Sequence, residues 1–190
     1  YDGTITSPTQ NFNIGRQPSA AIYHWDGLIS NVAVFNTGLS QSQVTTLYNN
    51  GTPEASISHS PLSWWKLDNT TTGLIDNGSA SNNGTNNGAT ESAGFVNTLA
   101  GESSNMDSYN LIVDNSLQQT SGYSPYALDF DGVNDYLDCG DSDDLSFGNG
   151  STDSPFSISA WINMTSNASV FRIVNKYDTN YEYQFDVLSG

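Results

Sequence analysis

The chain has 190 residues, 36% of them hydrophobic, and its twenty Asp and Glu against four Lys and Arg give a net charge of −16. This charge excludes nucleic acid as a partner, because phosphate binding needs a basic surface, and it disfavours anionic membranes. No apolar stretch reaches the length of a membrane span, so membrane insertion is not expected. The single Cys139 leaves no intrachain disulfide to form.

Strands, turns and one short helix are predicted for the first part of the chain. Apolar alternation favours strands at 12–15, 22–25 and 28–36. The stretch "LSQSQVTTLYNNG" then predicts a helix near 40–49, since Ser40 is a good N-cap and Gln43 stands at the capping-box position. After it, low apolar content and repeated Asn-Gly pairs predict a long surface loop at 69–125, broken by short strand pieces.

The C-terminal part has the period of antiparallel strands. In "FSISAWINM" side chains point to opposite faces, with Phe156, Ile158, Ala160, Ile162 and Met164 on one and Ser157, Ser159, Trp161 and Asn163 on the other. "YEYQFDV" (181–187) alternates in the same way, and further strands are predicted at 64–68, 126–130, 135–139 and 170–176. We therefore predict an all-β fold in which two antiparallel sheets pack as a sandwich.

Three segments resemble modules of the laminin-G-like, concanavalin A-like lectin/glucanase superfamily. They are "HWDGLISNVAVFNTGLSQSQVTTLYNNGTP" (24–53), similar to the closing strands and helix, "SWWKLDN" with its Asn-Gly loop (63–85), similar to the opening strand, and "YALDFDGVNDYLDCG" with the strands after it (126–190). The resemblance implies a jelly-roll sandwich. The stretch "LYNNGTPEASISHSPLSWWKLD" is also similar to tandem modules in virion proteins of marine bacteriophages.

The order of these segments is inverted relative to the resembled family. The closing segment occupies 1–57, residues 58–62 form a linker, and the opening part occupies 63–190. One interpretation is a tandem array, in which one module ends and the next begins. The other is a single permuted sandwich, because the first and last strands of this fold are neighbours. The sequence leaves both interpretations open.

Enzyme activity is not predicted. Glycoside hydrolysis needs two carboxyl groups at a set separation, and no glutamate begins the Glu-x-Asp motif of the resembled glucanases. Glu182 and Asp186 share a strand face at about 13 Å, which is too far apart. His24 and His59 have no Ser or Cys motif beside them, and the acidic stretch around Cys139 is expected to raise the pKa of its thiol.

The stretch "DFDGVNDYLDCG" has two interpretations. Hard oxygens at one rim of the sandwich would suit Ca²⁺, which many modules of the resembled family hold there, with Asp131, Asn134, Asp135 and Asp138 as the ligands. Alternatively, these residues serve the turn itself, whose geometry favours Asp and Asn. No other cofactor is expected.

Three tryptophans are candidate ligand residues. Trp64, Trp65 and Trp161 lie in predicted strands, where one residue of an adjacent pair faces outward. An exposed Trp would stack on a sugar ring, whereas a buried one would serve packing within or between modules.

These features predict a non-catalytic binding or adhesion module, extracellular or on a virion surface, that recognises a glycan or a cell-surface protein through rim loops. The first alternative is a structural virion protein (a fibre, tail or capsid-decoration component) that packs against neighbouring copies or modules, with strands supplied by a neighbouring chain. The second is an accessory domain of a carbohydrate-active enzyme.

Overall fold

The computed structural model describes residues 5, 10–18, 22–51, 53, 56–92, 126–165, 170–177 and 182–188. Its strands are β1 (Asn13–Ile14), β2 (Asp26–Phe35), β3 (Ser63–Trp65), β4 (Thr85–Asn87), β5 (Thr90–Ser92), β6 (Ala127–Asp131), β7 (Tyr136–Asp138), β8 (Ser157–Met164), β9 (Phe171–Lys176) and β10 (Tyr183–Val187). The helix α1 spans Gln41–Tyr48. The predicted all-β class with one short helix is confirmed.

The strands form two antiparallel five-stranded sheets that pack as a sandwich. The first sheet has the order β10-β9-β1-β7-β4. In the second sheet the ten-residue β2 is central. One edge of β2 pairs with β8 along its length, while the other edge pairs first with β6 and then with β3, and β5 pairs with β6.

The core lies between the two sheets and is rich in aromatic rings. Phe12, Trp25 and Trp65 are completely buried there, and Phe130 is nearly so. Phe12 stacks on Trp65 with ring centroids 5.2 Å apart. These large side chains give the core its volume in a chain whose overall hydrophobic content is modest.

Both sheets combine strands from the segments 1–57 and 63–190. β1 pairs with β7 and β9, and β2 pairs with β3, β6 and β8. Within the predicted linker, the Leu62 amide donates to the Val34 carbonyl at 2.8 Å. This pairing is what a single permuted sandwich requires. The permuted sandwich, the tandem array and the jelly-roll connectivity all stay predictions.

The local sequence signals predict the helix correctly but predict one strand that does not form. Ser40 caps α1 in a complete capping box with Gln43, as predicted, and the helix ends at Asn49 in the left-handed conformation, φ 42°. The predicted strand at 22–25 is wrong: Tyr23 has φ 57°, and a bridge from Ile22 to Gln17 is the sole pairing described there. The short β4 and β5 lie inside the predicted loop.

Candidate functional site

The helix α1 lies on the outer face of the second sheet, and a groove opens beside it. Leu47 is buried against Ala33, Phe35 and Trp64, which point away from the core. Between α1 and β8 remains a cavity of about 460 Å³, lined by Leu39, Val44, Leu47 and Tyr48 on the helix side and by residues 157–161 of β8. We call it the α1–β8 groove. None of its lining residues carries a charge, although the whole chain has a net charge of −16.

An aromatic pair stands in this groove. The rings of Tyr48 and Trp161 stack with centroids 6.0 Å apart and an interplanar angle of 11°. Trp161 lies opposite Ser30 of β2 and therefore points to the outer face. Tyr48, the last residue of α1, is 61% exposed. The pair offers aromatic surface that is open to a ligand.

The other two predicted ligand tryptophans are buried. Trp65 lies in the core, and its indole N–H donates to the Asn82 carbonyl at 2.7 Å. Trp64 faces outward, but α1 covers it, and its N–H donates to the Asn31 side chain at 3.1 Å. Since neither ring face is accessible, their roles here are packing roles, and the ligand prediction rests on Trp161.

The three carboxylates among the predicted calcium ligands accept hydrogen bonds from nearby groups, which for Asp138 include the Asn11 side chain. Asp131 accepts hydrogen bonds from the Val133 and Asn134 amides at 2.8 and 3.2 Å, and Asp135 accepts one from the Asp131 amide at 3.0 Å. Asp138 accepts from the Gly140 amide at 2.9 Å. Across the described residues, no three His, Cys, Asp or Glu side chains gather to hold a metal ion. The four residues as folded do not fit a Ca²⁺ ion, and calcium binding stays a prediction.

The electrostatics of this turn agree with a structural role. The hydrogen bond from the Val133 amide holds the pKa of Asp131 below its usual value. Burial has the opposite effect on Asp135 and raises its pKa. The turn chemistry that the sequence offered as an alternative therefore describes the observed contacts of Asp131, Asn134 and Asp135.

Among the described residues, two clusters of ion pairs involve carboxylates near β9 and β10. Asp186 pairs with Arg172. Glu182 lies 3.2 Å from the Nζ of Lys176, a lysine that is completely buried and that also contacts Asp141 at 2.9 Å. Burial nevertheless raises the pKa of Glu182. Each of the two carboxyl groups considered for glycoside hydrolysis thus has a cationic partner.

Nucleophilic chemistry finds no support at Cys139. Its thiol is buried, and burial raises its pKa well above the usual value, with nearby Asp138 adding to the effect. The sequence predicted the direction from the acidic neighbours, but burial is the larger cause. His24 contacts the Asp135 carbonyl through Nδ1 at 3.4 Å.

The groove itself was missed by sequence reasoning. The capping box predicts α1, and alternation predicts that Trp161 faces outward, but no local signal brings Tyr48 to Trp161. A scan against protein-family models and searches of curated proteins and of solved structures found no match. Among the described residues, no helix has the length and apolar character that crossing a membrane requires.

Proposed function

We propose that the chain is a non-catalytic binding module, extracellular or on a virion surface, that recognises a glycan or a protein through the α1–β8 groove. The observation that carries the proposal is the stack of the exposed Tyr48 on Trp161 in an uncharged, largely apolar groove. Flat aromatic surfaces accept the apolar face of a sugar ring or an apolar side chain. The jelly-roll architecture implied by the resemblance is part of this proposal.

The charge distribution favours a ligand without strong charge. The wall of the groove consists of aliphatic, aromatic and Ser side chains, so it offers no ion pair to a charged ligand. An acidic ligand would also be repelled by the net charge of −16. Neutral glycans and apolar protein segments remain as the ligand classes.

A glycan array and a panel of cell-surface proteins test the proposal. We expect Tyr48→Ala and Trp161→Ala each to weaken binding about tenfold or more, the equivalent of about 1.4 kcal/mol. Tyr126→Ala is the matched control, because it removes a 52% exposed tyrosine that does not line the groove. Equal binding by all three variants, or no binding by the parent chain, would contradict the proposal.

The same array also tests calcium when it is run with calcium and with EDTA. Loss of binding upon chelation would support ligation by Asp131, Asn134, Asp135 and Asp138. Unchanged binding would contradict the predicted calcium site and would not affect the proposed role of the groove.

A structural, self-assembling role is the second candidate function. A specific observation favours it: β8 is a long, uncharged strand that has one partner strand among the described residues. Such an edge is a template for pairing with another chain.

A further inference from the structure

The outer edge of β8 exposes main-chain hydrogen-bonding groups. Among the described strands, β8 pairs with β2 alone. The Thr165 amide, just after β8, donates to the Asp26 carbonyl of β2 at 3.0 Å. Because main-chain groups alternate sides along a strand, those of Ile158, Ala160 and Ile162 point away from β2. These residues thus present donors and acceptors along an edge that no described strand occupies.

This edge has none of the usual features that prevent pairing. Natural edge strands are short or carry Lys, Pro, bulges or inward-pointing charges. β8 reads SISAWINM: eight residues without charge, Pro or Gly. Ile158 and Ala160 face the core yet are only half-buried, and Ile162 is 36% exposed. An added strand would cover this apolar surface as well as the main-chain groups.

We propose that a second copy of this chain adds its β8 antiparallel to β8 and joins two sandwiches through one continuous sheet. The pattern of β8 selects this occupant. Ile158 and Ile162 lie symmetrically about Ala160, so an antiparallel second copy brings large apolar residues opposite each other and adds no charge at the seam. The β8 of another copy also supplies the same alternation, and the repulsion between the two acidic chains acts outside this uncharged seam.

In the proposed register the two-fold axis passes between the Ala160 residues of the two copies. A two-fold axis normal to the sheet pairs residues of the same face, so Ala160 lies opposite the partner's Ala160 and Ile158 lies opposite the partner's Ile162. These pairs exchange main-chain hydrogen bonds, with a small residue at the centre and large apolar ones on both sides. On the outer face Trp161 lies opposite the partner's Ser159. The dimer therefore places the two Tyr48–Trp161 pairs on one surface.

Sedimentation velocity of the 190-residue chain over a concentration series, at low and high salt, tests the proposal. We expect a monomer–dimer equilibrium that tightens with salt, because screening reduces the repulsion between two acidic chains whose seam carries no charge. Ordinary salt-bridged interfaces weaken with salt, so the direction identifies the type of interface.

Two variants locate the interface. Ala160→Pro removes an amide that points away from β2, so it spares the β2 ladder and blocks the edge. Ile162→Lys introduces the charge that edge strands commonly carry. Each is expected to raise the dimer dissociation constant at least about tenfold. Val133→Lys is the control, since it adds the same charge at a 71% exposed residue of the β6–β7 turn.

Amide hydrogen exchange completes the test and does not depend on variants that fold. Protection of the Ile158, Ala160 and Ile162 amides should rise with protein concentration. A chain that stays monomeric under all conditions would overturn the proposal. So would a dimer that is unchanged by Ala160→Pro and Ile162→Lys, or protection of these amides that is independent of concentration, which would mean that the chain covers its own edge. None of these results depends on a glycan, so they are separable from the outcome of the binding array.

Discussion

Two edge strands of the second sheet, β5 and β8, differ in length and charge. β5 has three residues, and its Glu91 places an exposed carboxylate on that edge, opposite Leu128 of β6. β8 has eight residues and no charge. One edge therefore carries the features that prevent strand addition, and the other lacks them. The net charge of the whole chain therefore does not indicate which strand can pair with another chain, whereas the local absence of charge on β8 does.

The first sheet holds its edge strand β10 in place in another way, through ion pairs. Its edge strand β10 is preceded by the buried Glu182, which pairs with the buried Lys176 at the end of β9. Asp186, within β10, pairs with Arg172 of β9. β10 is thus fixed to its neighbour by charges on both sides of the pairing, whereas β8 is held to β2 by the main-chain ladder and apolar contacts.

Removal of the buried cation at the β10 edge should have the largest effect on stability. Lys176→Met leaves Glu182 and Asp141 without their shared partner, and breaking a buried ion pair costs about 3–5 kcal/mol. Chemical denaturation followed by tryptophan fluorescence measures the loss. The control Lys66→Met removes a half-buried lysine that lies over the Trp64 ring at 5.1 Å, and should cost about 1 kcal/mol or less. Equal losses in the two variants would show that the β10 edge does not depend on this ion pair.

A smaller effect is expected when the β5 edge is made to resemble β8. Glu91→Val removes the charge from this edge together with the hydrogen bonds from the Thr70 amide and hydroxyl, both 2.8 Å. Because the site is exposed, the free energy of unfolding should change little. Self-association should increase, and sedimentation of the double variant with Ala160→Pro isolates this edge from β8. Glu91→Gln, which keeps a polar side chain, should associate less than Glu91→Val; the reverse order would contradict the role given to Glu91.

The smallest effects are titration shifts of opposite sign at the two glutamates. Hydrogen bonds from Thr70 lower the pKa of Glu91 below 4.5, whereas burial raises that of Glu182 above 4.5. The stabilisation by Glu91 is therefore complete above its unfolded-state pKa and is lost as the pH falls through its folded-state pKa. For Glu182 the native state binds the proton more tightly, so its contribution falls as the pH rises through the raised value. Carboxyl ¹³C NMR titration gives both midpoints, and midpoints on the same side of 4.5 would refute this contrast.

Local patterns predicted those elements whose signals are contained within a few residues. The capping box at Ser40 gives α1, and the alternation of 156–164 gives both faces of β8. Predictions that depend on contacts distant in sequence were not possible from local patterns. Trp64 points outward as its strand position implies, yet α1 covers it. No property of residues 63–65 indicates that a helix more than a dozen residues earlier will lie there. The sequence could not decide between the two interpretations of the turn around Asp131 for a different reason. Carboxylate oxygens suit both a metal ion and backbone amides, and only the folded geometry shows which groups they contact.

The pairing of β1 has a consequence for biosynthesis. Ile14 pairs with Leu137 and Val174, which are made long after it. At synthesis rates of 5–20 residues per second, β1 waits roughly 10–30 s for its second neighbour. Likewise β2 emerges before β3, β6 and β8, so its run of buried residues has no strand to pair with at first. The sandwich can close only after β9 and β10 have been synthesised, and we expect its folding rate to reflect these long loop closures.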